Sequence, residues 1–158
     1  MEVLPMKSAA ALFIAVFLAV TTPPSQADPL GLGVVIGSPI GFAGNYYLNK
    51  RNSIDGVISP DFGDDGGVYL HSTYLWHYRG ALTIDKLPIN GFWGLGLRLR
   101  LIDKIEDEFR LGPRLSGGLL YQVQSAPVDF FFEIAIVVDL VEKTGLAGNL
   151  GIGARYYF

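Results

Sequence analysis

The residues that could carry catalysis or bind a metal are few. The chain has two histidines, His71 and His77, and Ser72 follows the first of them. A serine, a histidine and an acid could form a hydrolase, but adjacent residues of a β-strand point to opposite faces, so Ser72 cannot meet the imidazole of His71. Ser116 has no partner at a recognisable spacing. We therefore predict no catalytic residue and no enzyme activity, and we interpret both histidines as hydrogen-bonding groups, with no metal and no cofactor.

A second group of chemically active residues consists of charged side chains inside otherwise apolar segments. Opposite charges in a closed interior could gate a narrow ion path, or they could pair and fill the space as a structural plug. We predict the plug, because buried charges must be paired. The members of this predicted lumen charge network are Arg98, Arg100, Arg110, Arg114, Arg155, Asp55, Asp129 and Glu133.

Acidic residues also cluster in two segments, 59–67 and 102–109. A calcium loop is conceivable for the sequence Asp61-Phe62-Gly63-Asp64-Asp65-Gly66, but the ligand spacing of such a loop is missing. We predict solvated external loops instead.

The elements that would position these residues are β-strands. Glycine and proline recur every few residues from Gly31 onward, which excludes long helices, and apolar residues alternate with small or polar ones. This period of two predicts eight strands, separated by turn-like segments. The predicted strands are 30–37, 41–48, 53–60, 68–78, 91–101, 110–121, 128–138 and 147–158.

The two faces of these strands differ in chemistry. In the fifth predicted strand, Trp93, Leu95 and Leu97 share an apolar face, while Arg98 and Arg100 share the other face with glycines. A soluble barrel would turn the apolar face inward, and an outer-membrane barrel would turn it to lipid. Arginine in the strands suits a sealed interior, because guanidinium pairs with carboxylate in two parallel hydrogen bonds. The lysines after residue 27 all lie in predicted turns or loops: Lys50, Lys86, Lys104 and Lys143.

We therefore predict an all-β fold, a closed up-and-down antiparallel transmembrane β-barrel of eight strands. In this arrangement aromatic residues cluster on the lipid face at the periplasmic ends of the strands, which is typical of an interfacial girdle. The predicted girdle consists of Tyr46, Trp76, Tyr78, Trp93, Tyr121, Phe130, Tyr156 and Phe158.

The start of the chain predicts export. Residues 9–20 form an unbroken apolar run that Lys7 precedes, and Ser25-Gln26-Ala27 offers the small residues that signal peptidase accepts. We interpret residues 1–27 as a signal peptide, with the start at Met1 or Met6, and residues 28–158 as the barrel. Because the chain lacks cysteine, it carries no disulfide and no lipoprotein anchor. A net charge of −3 without a cluster of basic residues excludes nucleic acid as a partner.

Three segments carry a resemblance to known proteins. The C-terminal residues Gly151-Ile152-Gly153-Ala154-Arg155-Tyr156-Tyr157-Phe158, together with Tyr74-Leu75-Trp76-His77 and Gly94-Leu95-Gly96-Leu97-Arg98-Leu99-Arg100, resemble small bacterial outer-membrane β-barrel proteins of the OmpA/OmpX type. Within that type, the chain is similar to compact barrels that mostly have no assigned activity. The resemblance implies a Gram-negative-type envelope, a monomer in contact with outer-membrane lipid and lipopolysaccharide, and an assembly signal at Tyr156 and Phe158 that the barrel-assembly machinery reads.

The expected function is that of an outer-membrane barrel with a structural or surface-interaction role. A narrow porin-like channel, a lipid-modifying hydrolase and a soluble periplasmic ligand-binding barrel stay open as alternatives. Residues 79–90 are expected to form a periplasmic turn, although this segment is long for such a turn.

Overall fold

A computed structural model describes residues 28–60, 66–103, 108–141 and 144–158. The predicted signal peptide, residues 1–27, lies outside the described residues, and so do most of the acidic loop residues. The strands are β1 Leu30–Ser38, β2 Gly41–Tyr47, β3 Asn52–Pro60, β4 Val68–Ile84, β5 Leu87–Ile102, β6 Glu108–Gln122, β7 Val128–Asp139 and β8 Gly145–Tyr157. No helix in these ranges has the length and apolarity that a membrane crossing requires.

The eight strands form a closed antiparallel barrel in sequence order. Each strand pairs with the next, and β1 closes the ring against β8, where Gly33 lies opposite Arg155. All neighbours are antiparallel, so both described ends of the chain lie at one end of the barrel, which we call the terminal end. The other end, which carries the connections β1–β2, β3–β4, β5–β6 and β7–β8, is the loop end. The prediction of an all-β, eight-stranded up-and-down barrel is confirmed.

The expectation of a long turn over residues 79–90 is wrong. The strands β4 and β5 continue as a hairpin beyond the rest of the barrel and are joined by a tight two-residue turn at Asp85 and Lys86, which have φ values of 45° and 68°. The register between the two strands shifts between Tyr78 and Leu82. Pro88 fits in this hairpin because the pairing of β5 with β6 begins only at Asn90, so its missing N–H faces no neighbouring strand.

Side chains alternate between the two faces of the barrel wall. In β7, Phe130, Phe132 and Ile134 are exposed on the outside, whereas Asp129 and Glu133 are buried inside. The interior also holds an apolar cluster, so it is mixed in character and not purely polar. That cluster consists of Val35, Ala43, Val57, Leu75, Phe92, Leu120 and Phe131.

Inward glycines make room for long side chains from neighbouring strands. Gly96 lies between Thr73 and Arg114 in one row across β4, β5 and β6, and it leaves space for the guanidinium to reach the threonine. Gly112 of β6 lies opposite Arg98 of β5, and a side chain added there would collide with the β7 backbone around Asp139. At both positions the absence of a side chain leaves room for an arginine of a neighbouring strand.

Candidate functional site

The lumen is the part of the barrel where chemically active side chains converge. A cavity of about 440 Å³ opens at the terminal end, where Tyr47, His77 and Tyr157 line it. A second cavity of about 340 Å³ opens at the loop end, where Tyr69 and Arg98 are among its lining residues. A network of buried charges separates the two cavities.

Nearest the terminal end, Arg155 pairs with Asp129. These two residues face each other directly on β8 and β7, and the guanidinium Nε and Nη2 donate to the two carboxylate oxygens at 3.0 Å each. The Tyr157 hydroxyl donates to the same carboxylate at 2.7 Å, and Asn45 Nδ2 donates to that hydroxyl oxygen at 3.1 Å. The guanidinium also lies 4.3 Å from the centre of the Phe131 ring. Both charges of this pair are therefore well satisfied.

In the middle of the lumen, Arg114 pairs with Glu133. The guanidinium Nη2 donates to one carboxylate oxygen, and Nη1 donates to the other at 3.3 Å and to Thr73 Oγ1 at 2.8 Å. Asp55 lies directly opposite Thr73 on β3. Asp55 is buried but forms no ion pair with any described residue.

Toward the loop end, Arg98 pairs with Asp139 through both carboxylate oxygens. Sequence reasoning missed Asp139, because the predicted seventh strand ended at residue 138. The signal was present, since residue 139 continues the inward alternation of Asp129 and Glu133.

Two predicted members of the network lie nearer the loop-end rim. Arg110 bonds Glu108 of its own strand, with Nε donating to Oε1 at 3.1 Å, and both side chains are partly exposed. Arg100 is half-buried and lines the loop-end cavity. The structure thus brings Arg98, Arg114, Arg155, Asp129 and Glu133 into buried pairs and leaves Arg110 at the rim.

The two histidines point into the lumen and make different contacts. His77 Nε2 lies 2.7 Å from Ser53 Oγ on the neighbouring strand, whereas His71 Nδ1 lies 3.0 Å from the Tyr69 hydroxyl. Ser53 is fully buried, and Ser72 points outward as predicted. No described acid bonds the other nitrogen of His77, so the described residues assemble no Ser–His–acid triad.

Three possible metal-ligating groups do come together. The side chains of Asp55, His71 and Glu133 each offer one ligand atom, and these atoms all lie within 4.8 Å of one another. Sequence spacing gave no signal for this cluster, because its members come from β3, β4 and β7.

The predicted aromatic residues all lie on the outer face toward the terminal end. Trp76 and Trp93 stack with their rings 4.4 Å apart, and Trp93 Nε1 donates to the Tyr78 hydroxyl at 2.9 Å. Tyr156 and Phe158 contact each other edge to face at 5.4 Å. The remaining members, Tyr46, Tyr121 and Phe130, are half-exposed or exposed on the same face.

The barrel is similar to a known structure. The crystal structure of the N-terminal β-barrel domain of OprF from Pseudomonas aeruginosa superposes with a TM-score of 0.57, covering 84% of this chain and 100% of that domain at 13% sequence identity. No family model matches the chain, and no curated protein matches it in sequence. The resemblance to OmpA-type eight-stranded barrels is therefore confirmed at the level of the fold.

Proposed function

We propose that this protein is an integral outer-membrane β-barrel whose lumen is filled by side chains and whose role is structural or interactive at the cell surface. The observation that carries the proposal is the chemistry of the barrel exterior. The barrel leaves Ile134 51%, Leu97 58% and Ile152 60% exposed on its outer face. Such a continuous apolar surface is unfavourable in water, and it suits a barrel surrounded by lipid.

The lumen supports a plug more than a channel. Arg114 and Thr73 are almost fully buried between the two cavities, where Arg114 Nη1 donates a hydrogen bond to Thr73 Oγ1. A barrel of eight strands has an interior just wide enough for side chains to fill. We therefore expect no discrete conductance steps when the pure protein is inserted into a planar lipid bilayer, and such steps would favour the narrow channel instead.

The orientation of the wall is testable with one charged substitution. Ile134 lies near the middle of β7 on the outer face, so Ile134→Arg places a charge in the hydrocarbon core and lowers the free energy of unfolding in lipid vesicles by about 2–4 kcal/mol. The matched control is Leu146→Arg. Leu146 is 77% exposed near the loop end, where the expected cost is about 0–1 kcal/mol. In a soluble barrel, neither substitution would destabilise the protein, because both side chains would already face water.

Cell fractionation provides a second test. A membrane barrel is recovered with the outer membrane, needs detergent for extraction and migrates differently on an SDS gel before and after boiling. A mature chain that stays in solution without detergent would instead indicate a soluble periplasmic barrel. Release of acyl chains from lipopolysaccharide by the pure protein would indicate a lipid-modifying hydrolase.

Export by residues 1–27 and recognition of Tyr156 and Phe158 by the barrel-assembly machinery belong to the same proposal. Phe158 is 51% exposed on the outer face, where it is accessible to an assembly factor. We expect Phe158→Ala to lower the amount of folded barrel in the outer membrane while its stability after refolding in detergent changes little. Unchanged assembly would contradict a role in recognition.

A further inference from the structure

We propose that Asp55, His71 and Glu133 form a binding site for one divalent first-row transition-metal ion inside the lumen, with Zn²⁺ as the best match. The sequence favoured a purely hydrogen-bonding role for His71, and the tertiary structure points to a different one. The site depends on the interior of the barrel and not on whether the exterior meets lipid, so it can fail or succeed independently of the membrane proposal.

The first support is geometric. All three side chains are buried, and their ligand atoms lie within 4.8 Å of one another. Ligand atoms of a tetrahedral zinc ion lie about 3.4 Å apart, given bonds of about 2.0–2.2 Å. Small rotations of the three side chains therefore suffice to close the site, and water could supply the fourth ligand.

The second support is the hydrogen bonding of His71. The Tyr69 hydroxyl donates to Asn149 Oδ1 at 3.0 Å, so its oxygen is free to accept a hydrogen bond from His71 Nδ1, also at 3.0 Å. With its proton on Nδ1, the neutral imidazole carries a lone pair on Nε2. A metal-binding histidine is usually oriented by a hydrogen bond that its other ring nitrogen, the one that does not bind the metal, donates to a neighbour.

The third support is that two of the ligand atoms are still able to accept a bond. Asp55 Oδ1 and His71 Nε2 are buried and have no hydrogen-bond partner among the described residues, although each residue is only 6% exposed. Both atoms are acceptors, so neither can satisfy the other without a cation or a proton between them. Glu133 can join them while keeping Arg114, because each carboxylate oxygen has two lone pairs.

Charge also favours a cation here. The arginines Arg98, Arg114 and Arg155 each pair with their own acid, which leaves Asp55 as the buried carboxylate outside the ion pairs of the described lumen. An imidazole ligand favours zinc and its neighbours in the first transition row over magnesium and calcium, which prefer ligand sets made only of oxygen. Tyr69, which bonds His71, also lines the loop-end cavity, so one side chain lies between that cavity and the proposed site.

The test is direct metal binding by the whole protein. The chain is expressed with its natural leader and an affinity tag without histidine, extracted in detergent, stripped with chelator, dialysed against Zn²⁺ and analysed for bound metal. We expect one Zn²⁺ per barrel, with His71→Gln and Asp55→Asn each weakening binding at least ~100-fold, because even the loss of an outer hydrogen bond costs 10–100-fold. The matched control, His77→Gln, removes the other lumen histidine and should bind zinc like the wild type.

Folding of each variant is checked by its gel migration before and after boiling. A wild-type barrel that binds no zinc, or a folded His71→Gln variant that binds zinc as the wild type does, would overturn the proposal.

A second measurement requires no substitution at the site. The chain has two histidines, so ¹⁵N labelling of histidine gives two sets of imidazole NMR signals, which the His77→Gln control assigns. Zinc should shift the Nε2 signal of His71 and leave the signals of His77 unchanged. If zinc leaves the His71 signals unchanged, the proposed site is disproved, even if every variant at the site fails to fold.

Discussion

Asp129 and Asp55 are the same residue type, and both are buried in the lumen on opposite strands of the ring, β7 and β3. Both oxygens of Asp129 accept hydrogen bonds, and an arginine directly opposite neutralises its charge. Asp55 faces no arginine within ion-pair distance among the described residues and keeps one oxygen without a partner. The interior is therefore not a uniform plug: the Asp129–Arg155 pair is fully hydrogen-bonded, whereas Asp55 in the middle of the lumen retains capacity for a ligand.

The largest expected effect concerns the Asp129–Arg155 pair, in which both charged groups are hydrogen-bonded. Arg155→Met leaves Asp129 buried without its cation and should lower the free energy of unfolding toward the upper end of about 3–5 kcal/mol, because the carboxylate cannot regain water. Urea unfolding in detergent, followed by tryptophan fluorescence, measures this loss. The double variant Arg155→Met with Asp129→Leu should recover most of the stability, since it removes both charges. If Arg155→Met is as stable as the wild type, Asp129 does not depend on its cation and does not differ from Asp55 in this respect.

The next effect comes from the middle of the lumen. Glu133→Ala removes the carboxylate partner of Arg114, and we expect a loss toward the lower end of about 3–5 kcal/mol. The cost is smaller than at Arg155 because Arg114 keeps its hydrogen bond to Thr73. The same unfolding measurement compares the two sites, and a larger loss at Glu133 than at Arg155 would reverse their order.

A smaller effect tests the packing around the satisfied pair. A Cβ atom added at Gly153 would lie 2.3 Å from Phe131 Cζ and 2.5 Å from the Val34 carbonyl oxygen, so Gly153→Ala should cost about 1–3 kcal/mol through overpacking. Gly148 on the same strand has its nearest neighbour at 4.0 Å, and Gly148→Ala serves as the control with little expected change. Equal effects at both positions would show that the lumen wall tolerates the added volume.

The smallest effect distinguishes Asp55 from Asp129 most sharply. Without metal, Asp55→Asn removes a buried charge that no cation pairs with, and we expect the free energy of unfolding to stay equal or rise by about 1 kcal/mol. Asp129→Asn serves as the comparison and should destabilise the barrel, because it removes the anion that Arg155 requires. Unfolding is measured in the presence of chelator. Equal losses at the two positions would mean that Asp55 is as well satisfied as Asp129.

The strands and their faces were accessible from the sequence because they depend on local periodicity. The alternation of apolar with polar or small residues predicted the eight strands. It also predicted that every buried member of the charge network faces inward. It failed where turn-forming residues continue a strand: Gly80 and Pro88 belong to the strands of a hairpin and not to a long turn. It also failed at a strand end, where Asp139 was left out.

Which side chains face inward was therefore predictable from neighbouring residues, because a period of two is a local property. Which of them meet depends on contacts between distant strands. The partners of the buried ion pairs are 19, 26 and 41 residues apart, and they come together through strand register, ring closure and wall glycines such as Gly96 and Gly112. The meeting of Asp55 with His71 and Glu133 depends on the same closure, because β7 reaches β3 and β4 only across the lumen of a completed barrel.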